Sequence, residues 1–181
     1  GIFGTQFFFE VLAENGLNEL AYEAMNKRDF PSFGLWIEQG ATTTWEQWDG
    51  KNSRNHPMFG GALSWFYRKV AGFNVDEGQP GYKHIIIRPI VPRDLTFASY
   101  SLRTLLGEAS VSWKKAQGAF LMDVVVPVGS TATLYLPASE GQAITENGKP
   151  VNKAKGVKAA GTEDGYAVFT VESGRYSLEV K

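Results

Sequence analysis

Gly78-Gln79-Pro80-Gly81, followed closely by His84-Ile85-Ile86-Ile87-Arg88-Pro89-Ile90, divides this chain into two kinds of sequence. The first four residues carry turn chemistry, and the β-branched run after them suits a pleated, half-buried surface. Before this point apolar residues recur every three or four positions. After it they alternate. The expected fold class is therefore α+β and multidomain, with helices over residues 1–75 and an antiparallel β-sandwich over residues 76–181.

Upstream, Phe7, Phe8, Val11 and Leu12 predict a helix from Thr5 to about Asn15, with Thr5 as its cap and Asn15-Gly16 as its stop. A second helix is expected from Leu17 to about Lys27, ending at Arg28-Asp29-Phe30-Pro31, and a short third from Ser32 to Gln39 with Ser32 capping. Phe59, Ala62, Leu63, Phe66, Tyr67 and Val70 place a fourth over Met58 to Val70. Phe7, Phe8, Phe9, Trp36 and Phe59 offer more apolar surface than so few helices could cover, which suggests part of a larger array of helical hairpins. The chain also enters its first helix directly at Gly1-Ile2-Phe3-Gly4, so we read it as a piece of a longer protein.

Downstream, alternating runs at 96–104, 108–114, 119–126, 130–136, 166–171 and 176–180 bring the expected number of strands to seven or eight. Tight turns at Gln117-Gly118, Val128-Gly129, Asn147-Gly148, Asp164-Gly165 and Ser173-Gly174 favour antiparallel pairing. The lysine-, alanine- and glycine-rich stretch from Asn152 to Gly161 is expected to be an exposed loop.

Composition narrows the function. The 181 residues are 43% hydrophobic with a formal charge of −1, which supplies no field to gather a polyanion, so neither nucleic acid nor a membrane is expected as a partner. No apolar run reaches the roughly 18 residues that cross a bilayer as a helix. With no cysteine there is no disulfide, thiolate metal site or cysteine nucleophile, and the two histidines, His56 and His84, form no metal-spaced cluster. No metal or other cofactor is expected. No serine lies in a nucleophile-elbow sequence.

The chemistry concentrates instead in Gly40-Ala41-Thr42-Thr43-Thr44-Trp45-Glu46-Gln47-Trp48-Asp49 and Asn52-Ser53-Arg54-Asn55-His56-Pro57. Aromatic faces cover the C–H surface of a sugar, polar groups bond its hydroxyls, and a carboxylate can activate water. Glu46 fits that last role, and equally a carboxylate bracing a loop or paired with Arg54. Of Trp45 and Trp48, one is expected to stack on sugar and the other to pack. His56 reads either as a hydrogen-bonded structural residue or as a substrate contact, while Asn52, Ser53 and Asn55 are turn formers by preference.

These two motifs closely resemble those of the bacterial α-L-rhamnosidases of glycoside hydrolase family 78. The helices before them and Phe30-Pro31-Ser32-Phe33, similar to a Tyr-Pro-Ser-Trp turn, fit the same order. The resemblance implies the late helices of an (α/α)6 barrel followed by a C-terminal β-sandwich, specifically over about residues 1–72 and by architecture thereafter. It implies Glu46 as the general base of an inverting hydrolysis and His56 as a residue that bonds the rhamnose hydroxyls; with these we expect Trp45, Trp48 and Asn55 to shape the sugar site. The general acid of the family lies in earlier helices. The implied partners are a rhamnose-containing carbohydrate and the N-terminal remainder of the same enzyme, without which the chain would be inactive. Asp49-Gly50-Lys51 makes the link between the motifs shorter than in many members. Two alternatives stand beside it: a non-catalytic carbohydrate-binding or structural module whose sandwich is the functional part, against which Tyr100, Trp113, Phe120, Tyr135, Phe169 and Tyr176 are expected to be sandwich core, or, within the architecture that the resemblance implies, another (α/α)6 glycosidase with a different sugar.

Overall fold

A computed structural model of the chain describes residues 1–181, the side chain of Gln6 excepted. It contains two compact units, Gly1–Phe66 and Tyr67–Lys181. The break falls before the expected boundary near residue 75, because Phe73–Val75 already pairs as a strand with His84–Ile87 in the second unit.

In the first unit, α1 (Ile2–Glu14), α2 (Asn18–Asn26) and α3 (Phe33–Glu38) lie close to their expected positions. Ser32 does cap α3, its Oγ accepting the Leu35 N–H at 3.0 Å and so satisfying a donor that has no partner within the helix. Thr5 does not cap α1. The helix begins three residues earlier, and the Thr5 hydroxyl donates back to Gly1 O at 2.9 Å.

The single helix expected over Met58–Val70 is three kinds of winding in succession. A 3-10 turn (Pro57–Ala62) leads into one α turn, α4 (Leu63–Trp65), and then a π segment (Phe66–Val70). Pro57 has no N–H to donate, and Gly60-Gly61 has the lowest helix propensity of any non-proline pair, so apolar spacing alone overstated the regularity. Phe9 of α1 packs against Phe33 and Trp65 with ring centroids 6.4 and 6.0 Å apart, and Ser64 Oγ donates to Glu10 Oε1 at 3.1 Å.

The second unit is a β-sandwich of eleven strands. In chain order they are β1 (Phe73–Val75), β2 (His84–Ile87), β3 (Phe97–Thr104), β4 (Gly107–Ala116), β5 (Ala119–Val126) and β6 (Thr131–Pro137). There follow β7 (Ile144–Glu146), β8 (Lys149–Pro150), β9 (Val157–Glu163), β10 (Tyr166–Val171) and β11 (Gly174–Val180). One sheet runs β1-β2-β6-β10-β9, the other β3-β4-β5-β11-β7-β8. Their inner faces bury Ile85, Ile87, Leu134, Leu136 and Phe169 from the first sheet, and Val111, Trp113, Met122, Val124 and Leu178 from the second.

Pairing is antiparallel except between β2 and β6, which run parallel from His84↔Thr131 to Ile87↔Leu134. A parallel pair needs a long crossover, and here β3, β4 and β5 of the other sheet supply it. Asn152–Gly161 is not a loop. It forms a 3-10 turn (Val151–Lys153) and most of β9, an edge strand whose residues are almost all exposed and therefore carry no alternation. Of the six aromatics expected in the sandwich core, Trp113, Phe120, Phe169 and Tyr176 are buried. Tyr100 and Tyr135 are half-exposed, the latter under the Arg88 guanidinium at 4.7 Å.

Candidate active site

The segment between α3 and the 3-10 turn folds as a narrow ribbon whose two arms are the two motifs. Backbone bonds from His56 N to Thr44 O (2.8 Å) and from Glu46 N to Ser53 O (2.8 Å) set the arms side by side. Two threonine hydroxyls reinforce them: Thr44 Oγ1 donates to His56 O at 2.6 Å, and Thr43 Oγ1 donates to Arg54 O. The reversal between the arms is tight because Gly50 and Asn52 take left-handed backbone, φ +73° and +61°. Within it Gly50 N donates to Gln47 O at 3.0 Å, and Lys51 pairs with Asp49 at 3.1 Å. The Lys51 side chain, and after it the Lys51 amide, holds the Asp49 carboxyl below its ordinary range.

The ribbon rests on an aromatic cluster. Trp36, Trp45 and Phe59 are buried, with Phe33, Ala41 and the half-buried Trp48 packed against them. The Trp36 ring lies 5.4 Å from that of Trp45 and 4.6 Å from that of Trp48, while Trp48 lies 4.4 Å from Phe59. Trp36 Nε1 donates to Trp48 O at 2.9 Å, so the one polar atom of that buried indole is satisfied by the ribbon itself. Trp45, at 4% exposure, is packed. Trp48 keeps part of its surface open.

Glu46 is half-buried, and its Oε2 accepts the Ser53 N–H at 3.2 Å. Oε1 has no hydrogen-bond partner among the described residues. The pairing with Arg54 does not form: that guanidinium lies 4.5 Å over the Trp45 ring, and its Nε donates to Gly50 O at 3.2 Å. His56 is half-buried, and although its backbone is tied to Thr44 twice, its imidazole makes no hydrogen bond among the described residues. Asn55 is exposed, its N–H bonded to Ser53 Oγ at 3.2 Å. His84, by contrast, is held in β2 with Nδ1 2.7 Å from Thr131 Oγ1 and Nε2 2.8 Å from Thr133 Oγ1.

A cavity of about 540 Å³ opens beside the ribbon, lined by Arg28, Phe33, Ile37, Ala41, Thr42, Thr43, Thr44, Phe59 and Leu63 among others. Glu46, Trp45, Trp48, Asn55 and His56 do not line it. No group of three His, Asp or Glu side chains among the described residues could hold a metal ion. Reading the sequence missed the zipper made by Thr43 and Thr44 and the seat of Arg54 on Trp45. The only signal was the near-constant offset from the threonines to the residues they bond, eleven and twelve positions on.

Residues 1–70 match the sequence model of the bacterial alpha-L-rhamnosidase 6 hairpin glycosidase domain, and residues 72–150 that of the bacterial alpha-L-rhamnosidase C-terminal domain. An alpha-L-rhamnosidase of Streptomyces avermitilis is 32% identical over 191 residues, covering 99% of this chain and 18% of that protein. One from an Alteromonas species is 37% identical over 172 residues, covering 88% of this chain and 18% of the relative. The solved alpha-L-rhamnosidase of Dictyoglumus thermophilum superposes with a TM-score of 0.89 at 38% identity, over 100% of this chain and 21% of that one. The chain thus spans about a fifth of the length of its relatives. A partial six-hairpin helical domain followed by a β-sandwich, with both motifs in the first, is what these matches share with the fold described above, and the chain belongs to the bacterial α-L-rhamnosidases.

Proposed function

We propose that this chain supplies the C-terminal part of an inverting glycoside hydrolase that removes terminal α-L-rhamnosyl groups, with Glu46 as the general base. The observation that carries the reading is Glu46 itself. Its carboxylate is half-buried and oriented through Oε2 by the Ser53 amide, while Oε1 is left without a protein partner among the described residues. A carboxylate held by one oxygen and open at the other can accept a proton from water. The open imidazole of His56, the amide of Asn55 and the exposed part of Trp48 are the groups we assign to the sugar, with Trp45 holding the ribbon from beneath. The Streptomyces avermitilis relative has been solved with L-rhamnose bound, which supports the sugar chosen here.

In the reaction, water gives a proton to Glu46 as its oxygen bonds to the anomeric carbon. The glycosidic C–O bond breaks on the opposite face, and the departing oxygen takes a proton from a second carboxyl group. Inversion sets those two carboxyl groups about 6.5–9.5 Å apart, leaving room for the water. The second group belongs to the part of the enzyme preceding this chain. In the longer polypeptide, Glu46→Gln should lower kcat by about 10²–10⁴-fold while rhamnose binding persists, since the amide keeps the shape and loses the basicity. Steady-state hydrolysis of an aryl α-L-rhamnoside is the measurement. Near-normal turnover by that variant would remove Glu46 from the role.

A further inference from the structure

We propose that Arg54 is a positioning residue for Glu46, acting through the Trp45 indole that precedes it; this rests on the reading of Glu46 as the base. Arg54 is exposed and makes no ion pair with Glu46 among the described residues, yet it is tied at three points of the ribbon. Its guanidinium covers the Trp45 ring at 4.5 Å, its Nε donates to Gly50 O at 3.2 Å, and its carbonyl accepts the Thr43 hydroxyl. The side chain therefore joins the first arm to the reversal, and the backbone carbonyl of the same residue ties in Thr43.

The contacts converge on the carboxylate. Ser53, next to Arg54, donates its N–H to Glu46 Oε2 and accepts the Glu46 N–H, so the backbone that Arg54 anchors is the backbone that orients the base. Gly50 shows how little slack the stack has: a Cβ there would stand 2.7 Å from Trp45 Cζ3. With Trp36 packed on Trp45 from within the unit and Arg54 over it, the indole cannot tilt without breaking one of these seats. The planar guanidinium stacks and donates at once, which an ammonium on a flexible stem cannot reproduce. Because displacing a catalytic group by about 1 Å can cost about 100-fold in rate, a strut on this ribbon bears on turnover more than on stability.

The test compares Arg54→Ala, Arg54→Lys and Glu46→Gln in the longer polypeptide, using an aryl α-L-rhamnoside together with amide hydrogen exchange at Glu46 and Ser53. Arg54→Ala should lose at least about tenfold in kcat with KM within about twofold, because the affected group acts in the transition state. Exchange at both amides should accelerate. Arg54→Lys should also lose kcat at unchanged KM, and it decides the matter if Arg54→Ala does not fold. A raised KM with unchanged kcat, an unchanged kcat, or a lower kcat without faster exchange at residues 46 and 53 would each overturn the proposal. Full activity in Glu46→Gln would remove the base assignment, whereas loss in Glu46→Gln with none in the Arg54 variants would remove the strut alone.

Discussion

One missing Cβ decides how the sandwich begins. Gly72 has φ +82°, and a Cβ there would lie 2.2 Å from Pro89 N and 2.4 Å from the Arg88 carbonyl carbon, both backbone atoms that cannot step aside. Its carbonyl meanwhile accepts the Arg88 N–H at 2.8 Å. Gly72→Ala should destabilise the second unit by about 2–5 kcal/mol, combining left-handed strain with overpacking. Gly118→Ala serves as the control: φ is +79° but nothing lies within 4 Å, so only strain of about 1 kcal/mol is expected. Urea unfolding measures both, and equal losses would contradict the steric account. The sequence announced Gly118 through its Gln-Gly turn, whereas nothing near Gly72 distinguishes it from a helix terminator. Likewise, the indoles of Trp45 and Trp48 are visible as a pair, and both pack on Trp36, but Trp45 alone is also covered by a guanidinium, that of Arg54 at 4.5 Å.

At the scale of elements, turns show where local chemistry suffices. Gln117-Gly118, Asn147-Gly148 and Asp164-Gly165 all have two successive left-handed residues and close the hairpins β4–β5, β7–β8 and β9–β10 as their residue types imply. Val128-Gly129 and Ser173-Gly174 carry similar residues, yet they pass the chain from one sheet to the other. The difference is set by where the next strand finds a partner. The pleated surfaces also place phenols out of water: burial is the chief cause raising the pKa of Tyr166 on β10 and of Tyr176 on β11, with Asp164 beside the first and Glu172 beside the second adding to it. A phenol raised in this way contributes stability that is complete below its unfolded value of about 10 and is lost as pH climbs through the folded value. The unfolding midpoint of the second unit should thus hold steady from about pH 7 to 9.5 and fall above about pH 10, in step with phenolate absorbance. A fall beginning near neutrality would assign the loss to other groups.

At the scale of the whole molecule, the two units differ in how well they cover themselves. The sandwich buries both inner faces, and β10 and β11, which lie beyond the residues matched to the C-terminal domain, occupy interior places in its two sheets. The helical unit leaves Phe3, Phe7, Phe8, Val11, Leu17 and Leu20 exposed. An apolar surface of that kind marks a face that packs against something else. The 181-residue chain alone should show two thermal transitions, with the helical unit melting first and binding a hydrophobic dye before it does, and it should not hydrolyse an aryl α-L-rhamnoside. A single cooperative transition, or good turnover, would contradict this. What the sequence determined by itself is the division into a helical and a sheet part and the two motifs, through whose resemblance the family is legible, because periodicity, turn residues and motifs are local properties. Only the tertiary structure decided that β2 and β6 run parallel, that residues 157–163 form a strand, and that Arg54 leaves Glu46 for Trp45. The first depends on a partner 47 residues away, the second on an edge position that leaves the strand exposed and without alternation, and the third on the reversal at Gly50 and Asn52 that folds Arg54 back over the indole.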